Sequence, residues 1–67
     1  MHQLLDRIDR KILMELQLDG RISNVELARR VGLSATPCLE RVKKLEREGY
    51  ILGYKAVVDP AKLGQGL

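Results

Sequence analysis

The 67 residues hold one cysteine, one histidine, two prolines, two tyrosines and no phenylalanine or tryptophan. A lone thiol cannot close an internal disulfide, so the fold must rest on packing rather than on an oxidising compartment. His2 and the distant Cys38 cannot assemble a metal site between them. Two tyrosines do not make a stacking platform for single-stranded nucleic acid. No apolar run approaches the roughly 18 residues that a bilayer span needs, and the N-terminus lacks the basic-then-apolar pattern of a secretory leader. A cytoplasmic protein with no membrane partner is therefore expected. There is no nucleophile–base pair, no phosphate-cradling glycine loop and no cluster of acids with histidines, so neither an enzyme nor a cofactor is expected. Internal repeats and low-complexity segments are also missing.

What remains is a small aliphatic, highly charged chain. Hydrophobic residues make up 45% and charged residues 31%, and the formal net charge is +3. A chain of this size buries only about 60% of the surface it exposes unfolded, enough for one modest core. The charge is unevenly placed. Between Arg21 and Arg47 there are seven basic residues against three acidic ones, leaving +4, while the flanks together are near neutral. A basic patch of this kind suits a polyanion.

Periodicity predicts three helices. Leu5, Ile8, Ile12 and Leu16, with Leu13 on the flank, form one apolar stripe over about 6–19. Asp6 and Asp9 complement the positive end of that helix, and Gly20 marks its stop. Met14 and Leu18 fall outside the stripe. A second helix is expected over about 24–31, burying Leu27, Ala28 and Val31. Ser23 followed by Glu26 reads as a capping box, with Ile22 and Leu27 as its hydrophobic staple. The same grammar repeats with Ser34 as cap and Leu33 reaching Cys38. Gly32 between them can adopt the left-handed conformation that ends a helix. The third helix is expected over about 35–48, stopping at Gly49, with Cys38, Val42 and Leu45 buried. An alternative start places Thr36 as cap and Pro37 as the first helical residue.

Two short capped helices joined by a glycine turn form a helix-turn-helix, at about 24–43, the arrangement that lays a helix in the DNA major groove. Beyond Gly49, residues 50–58 are rich in strand formers and bounded by Asp59-Pro60. One strand is expected there. A full winged helix would need a hairpin, but Gly53 is the only turn residue. The fold class is thus mainly α, a three-helix, winged-helix-like domain over 1–50, followed over 51–67 by a hinge strand and a flexible stretch. An apolar strand without a mate suggests the front part of a longer protein.

Several stretches resemble the bacterial and archaeal Lrp/AsnC regulators: residues 5–10, 19–27, 31–34, 36–42 (Thr-Pro-Cys-Leu-Glu-Arg-Val) and 45–47. The resemblance covers nearly the whole chain. It implies a DNA-binding domain joined through a hinge to a C-terminal sensor domain that forms homo-oligomers and binds amino acids such as leucine. That sensor has no counterpart here, so no effector is expected to bind these residues. The resemblance also implies a cytoplasmic, nucleoid-associated transcription regulator that prefers A·T-containing inverted repeats.

Placing Cys38, Val42 and Leu45 inward leaves Thr36, Glu40, Lys43 and Arg47 on the opposite face of the third helix, with Pro37, Arg41 and Lys44 on one flank. Base contacts normally come from the N-terminal half of such a helix, so Thr36, Pro37, Glu40 and Arg41 are the base-proximal candidates. Arg41 is the foremost of them, because arginine pairs with guanine O6 and N7 through two bonds. Glu40 can accept from cytosine N4 or can orient Arg41 or Lys44, the latter being favoured. Lys43, Lys44, Arg47, Arg21 and Arg29 are phosphate candidates, and Ser34 adds the amides at the helix start. Arg30 is either a further phosphate contact or simply solvated. Cys38 is expected to pack, and the tyrosines to cover the core or the strand. Set against double-stranded DNA binding is a protein-interaction module using Met14, Leu18 and the unpaired strand.

Overall fold

A computed structural model of the chain describes residues 5–64. Arg7–Leu18 forms α1, Asn24–Val31 α2, Ala35–Arg47 α3, and Pro60–Leu63 a single-turn α4. The capping chemistry explains each boundary. Asp6 is the N-cap of α1, and its Oδ1 accepts from the Asp9 N–H at 2.7 Å. The Asp6 N–H returns a longer bond of 3.4 Å to Asp9 Oδ2. These two acids therefore build a reciprocal cap and do more than complement the dipole. The helix ends at Leu18, and Gly20 lies in the turn that follows.

At α2 the Ser23 Oγ accepts from the Glu26 N–H at 3.1 Å. Only this half of the expected capping box forms there, because the Glu26 carboxylate pairs with Arg29 and Arg30. Gly32 takes φ 80° and ψ 30°. Its N–H and that of Leu33 both donate to the Ala28 carbonyl, Leu33 at 2.9 Å, which closes α2 and turns the chain. Gly49, at φ 83°, ends α3 the same way. There the Tyr50 N–H reaches the Leu45 carbonyl at 3.0 Å and the Gly49 N–H the Glu46 carbonyl at 3.1 Å. This double bond pattern is a Schellman motif.

The core is one cluster. Ile12 from α1, Leu27, Ala28 and Val31 from α2, and Cys38 and Leu45 from α3 are buried, with Ile12 and Cys38 fully so. Leu5, Ile8, Leu13, Leu16, Ile22, Leu33, Val42 and Ile51 pack around them. Thus Val42 belongs to the core edge while keeping some exposure. Met14 and Leu18 stand in solvent, at 59% and 77%.

The expected strand is not formed. Residues 51–59 are irregular, and no strand is present among the described residues. A ladder needs a second extended backbone to pair with, and none is present among the described residues. Its start instead docks on α1, where Tyr50–Tyr54 and Leu13, Leu16 and Gln17 line a shallow groove. The Tyr54 hydroxyl donates to Glu46 Oε2 at 2.8 Å. Burial and the adjoining Glu46 carboxylate push its phenol up to about 12. Within this stretch the Leu52 side chain stays in solvent, and farther on so does that of Val57. Sequence reading also missed α4. Asp59 caps it by accepting from the Ala61 N–H at 2.9 Å, with Pro60 at the first helical position. Of the expected flexible tail, Lys62 and Leu63 belong to this turn. Residues 65–67, like 1–4 with His2, lie outside the described residues.

Arg30 of α2 reaches Glu15 of α1 at 3.0 Å, tying the two helices, and also pairs with Glu26 within α2 at 2.9 Å. Exposed pairs of this sort contribute little, whereas burying a side chain such as Ile12 contributes about 1.5–3 kcal/mol. The core dominates stability, and the charges orient. Ile12→Ala should therefore cost about 2–5 kcal/mol in urea unfolding followed by circular dichroism, and Met14→Ala no more than about 0.5 kcal/mol. The pairing also sets an acid limit. Hydrogen bonds from Arg29 and then Arg30 hold the Glu26 carboxyl at about 2, against an ordinary 4.5. The Asp9 N–H and Arg41 lower Asp6 too. Because these groups are depressed in the folded state, their stabilisation is complete above the ordinary carboxylate range and is lost as pH falls towards the folded values. Thermal melts should show the midpoint falling between pH 4.5 and about 2, with a shallower fall in Glu26→Gln.

Candidate nucleic-acid interface

The tight junction at Gly32 sets α3 across α2, and a side chain fixes it from the far end. Asn24 Nδ2 donates to the Ala35 carbonyl at 2.7 Å, pinning the first turn of α2 to the first turn of α3. Its Oδ1 is buried without a hydrogen-bond partner among the described residues. No sequence signal distinguished Asn24 from any other helix-start residue.

Helix α3 is sharply divided. Cys38 and Leu45 are buried, while Thr36, Pro37, Glu40, Lys43 and Arg47 are all exposed. Burial pushes the Cys38 thiol up, away from the thiolate that chemistry would need. Ser34 occupies the N-cap position, with φ −79° and ψ 167°, but its side chain makes no capping bond. The reason lies three residues on: position N3 is Pro37, which has no N–H to donate. Only the Ser34 backbone acts, its carbonyl accepting from the Cys38 N–H at 3.2 Å. The alternative start with Thr36 as cap is not adopted, since Ala35 and Thr36 are already helical.

The basic residues differ in their surroundings. Arg21, Lys43 and Arg47 are exposed. Arg29 bonds Glu26, as does Arg30, yet the Arg29 side chain stays 72% exposed and can still meet an anion. Lys44 is half-buried. Arg41 differs from all of these. Its Nη1 donates to Asp6 Oδ2 at 2.6 Å and to Asp9 Oδ1 at 3.2 Å, and its side chain is only 32% exposed. The carboxylates that orient Arg41 are thus the α1 cap and not Glu40. Sequence reading recognised Asp6 and Asp9 only as charges at a helix end, and their connection to Arg41 was missed. The signal available was the three-residue spacing of a capping box. Among the described residues no group of three or more potential metal ligands is found.

Comparison with known proteins agrees with this architecture. Residues 5–51 match the model of the winged helix-turn-helix DNA-binding family. The leucine-responsive regulatory proteins of Escherichia coli K12 and Salmonella typhimurium are 68% identical over 63 residues, covering 94% of this chain and 38% of theirs. Among solved structures, a transcriptional regulator of Neisseria meningitidis, crystallised with L-Met, superposes with a TM-score of 0.87 at 48% identity, over 94% of this chain and 41% of that one. AsnC of Escherichia coli superposes at 0.77 with 37% identity, over 92% and 42%. The chain therefore spans well under half the length of the relatives it matches. A buried apolar seam behind α3, a left-handed glycine before it, a polar row in front of it and these similarities lead to one assignment: the chain belongs to the winged helix-turn-helix DNA-binding family and is of the Lrp/AsnC type.

Proposed function

We propose that residues 1–50 bind double-stranded DNA sequence-selectively, as the reading unit of an amino-acid-responsive transcription regulator, with α3 in the major groove. The observation that carries this reading is the division of α3. Five polar or small residues, Thr36, Pro37, Glu40, Lys43 and Arg47, are exposed together opposite a buried edge of Cys38 and Leu45. The early positions meet base edges: the Thr36 methyl and Pro37 suit a thymine methyl, and Glu40 suits cytosine N4. Lys43, Arg47, Lys44, Arg21 and Arg29 hold phosphates, which fixes the register without reading sequence. Ser34, whose hydroxyl is not used in capping, joins them with the first amides of α3.

Residues 51–67 serve as the connector in this proposal. The intact protein assembles as a homo-oligomer through a further C-terminal part, where the amino-acid effector binds, and it acts in the cytoplasm on nucleoid DNA. The name of the leucine-responsive relatives supports the amino-acid response, and the greater length of the relatives supports the further part. A single domain binds weakly because two half-sites about one helical turn apart call for two copies. A second reading, a protein-interaction module, is favoured by the exposure of Leu18, Leu52 and Val57.

Fluorescence-anisotropy titration against labelled duplexes over a range of salt separates the two readings. Lys43→Glu with Arg47→Glu should weaken binding at least tenfold and make the log–log salt slope shallower by about two. Met14→Ser with Leu18→Ser should leave both quantities unchanged. Absence of binding at low salt, or charge reversal without effect, rejects the DNA reading.

A further inference from the structure

Arg41 has the side-chain chemistry of a base reader but a different location. At 3.6 residues per turn it sits about 60° around α3 from Cys38, whereas Glu40, Lys43 and Arg47 lie about 140–180° away. It thus leaves the helix on the α1 side, next to the core. Each oxygen of the α1 cap is committed. Asp6 Oδ1 and Asp9 Oδ2 make the reciprocal backbone bonds, and Asp6 Oδ2 and Asp9 Oδ1 take the Arg41 guanidinium. Withdrawing Arg41 into a groove would leave two carboxylates sharing one cap without their cation. They would also face the phosphates of the approaching duplex. Both effects oppose the withdrawal.

We infer that Arg41 is a positioning residue. Its bonds to the Asp6–Asp9 capping box lock α3 to the N-terminus of α1 and set the pitch at which Thr36, Pro37 and Glu40 enter the groove. The inference rests on the DNA-binding reading above and deepens it. Sequence discrimination comes from the exposed N-terminal row, and Arg41 supports all of it at once. Asp6 and Asp9, which bear the wrong charge to touch DNA, become determinants of DNA affinity.

The sign of one substitution separates this from base reading. Asp6→Asn with Asp9→Asn removes two negative charges while keeping a good N-cap, so electrostatics alone would tighten DNA binding. If Arg41 positions α3, the same change weakens it. The test uses anisotropy titrations of the unsubstituted chain, Arg41→Ala, Asp6→Asn/Asp9→Asn and the triple variant, at a temperature where circular dichroism shows all four folded. The probes are a duplex selected for tight binding, its single-base-pair variants and a random-sequence duplex. Expected is a roughly tenfold loss on the selected duplex for Arg41→Ala and for the paired Asn change, with the triple variant no weaker than Arg41→Ala, as coupled neighbours behave. The loss of discrimination should be spread across the site. Equal or tighter binding by the paired Asn variant overturns the proposal, and so does loss of discrimination at one base pair in Arg41→Ala. Lower melting temperatures with unchanged folded-state affinity make the cluster purely structural and overturn it too. An unsubstituted chain that binds none of the duplexes removes the DNA reading itself, and this inference with it.

Discussion

Everything in this molecule follows from how closely α2 and α3 can cross. The crossing has a small buried side chain on each helix, Ala28 on α2 and Cys38 on α3, both within the core cluster. It is reached through a glycine at φ 80° that only a residue without Cβ adopts freely. A larger residue at position 28 would push the helices apart, and a non-glycine at 32 would strain the turn. With the crossing set, Cys38 and Leu45 must face inward, and helical periodicity puts Thr36, Glu40, Lys43 and Arg47 outward. The exposed row of α3 is a consequence of the core.

Charge then refines what packing establishes. The +4 excess between Arg21 and Arg47 looks like a uniform patch in the sequence. In the fold it is partitioned. Glu26 gathers Arg29 and Arg30, Glu15 joins Arg30 from α1, and the α1 cap holds Arg41. Arg30 and Arg41 thus tie helices together, while Lys43 and Arg47 stay on the open face. Surface pairs contribute little to stability individually. Their effect is to fix angles, which matters more to a protein that must present a rigid helix to a rigid duplex.

Much of this was legible in the sequence, for physical reasons. The second helix was read to the residue because its signals are local: Ser23 before, Gly32 after, and apolar residues at 27, 28 and 31 between. Exposure of Met14 and Leu18 followed from periodicity. The failures have causes of two kinds. Ser34 was read as a capping side chain although Pro37 removes the donor it needs, and the N-cap pair Asp59-Pro60 was read as a strand end. In both places the sequence carried the answer. The strand over 50–58 and the unforeseen ion pair of Arg41 are different. A strand exists only with a partner, and an ion pair spanning 35 residues between Asp6 and Arg41 follows only from the tertiary packing that brings α3 against α1. Composition and spacing do not encode such pairings.

The surface proposed to meet DNA is the exposed row of α3, supported from behind by the apolar seam. Mapping amide and side-chain NMR shifts of the ¹⁵N,¹³C-labelled chain during titration with a selected duplex tests it most directly. The largest changes should fall on Thr36, Glu40, Lys43 and Arg47, with Pro37 seen through its carbon-bound protons, while Met14, Leu18 and Val57 stay still. Changes concentrated on α1 and residues 52–58, with α3 unmoved, would contradict it.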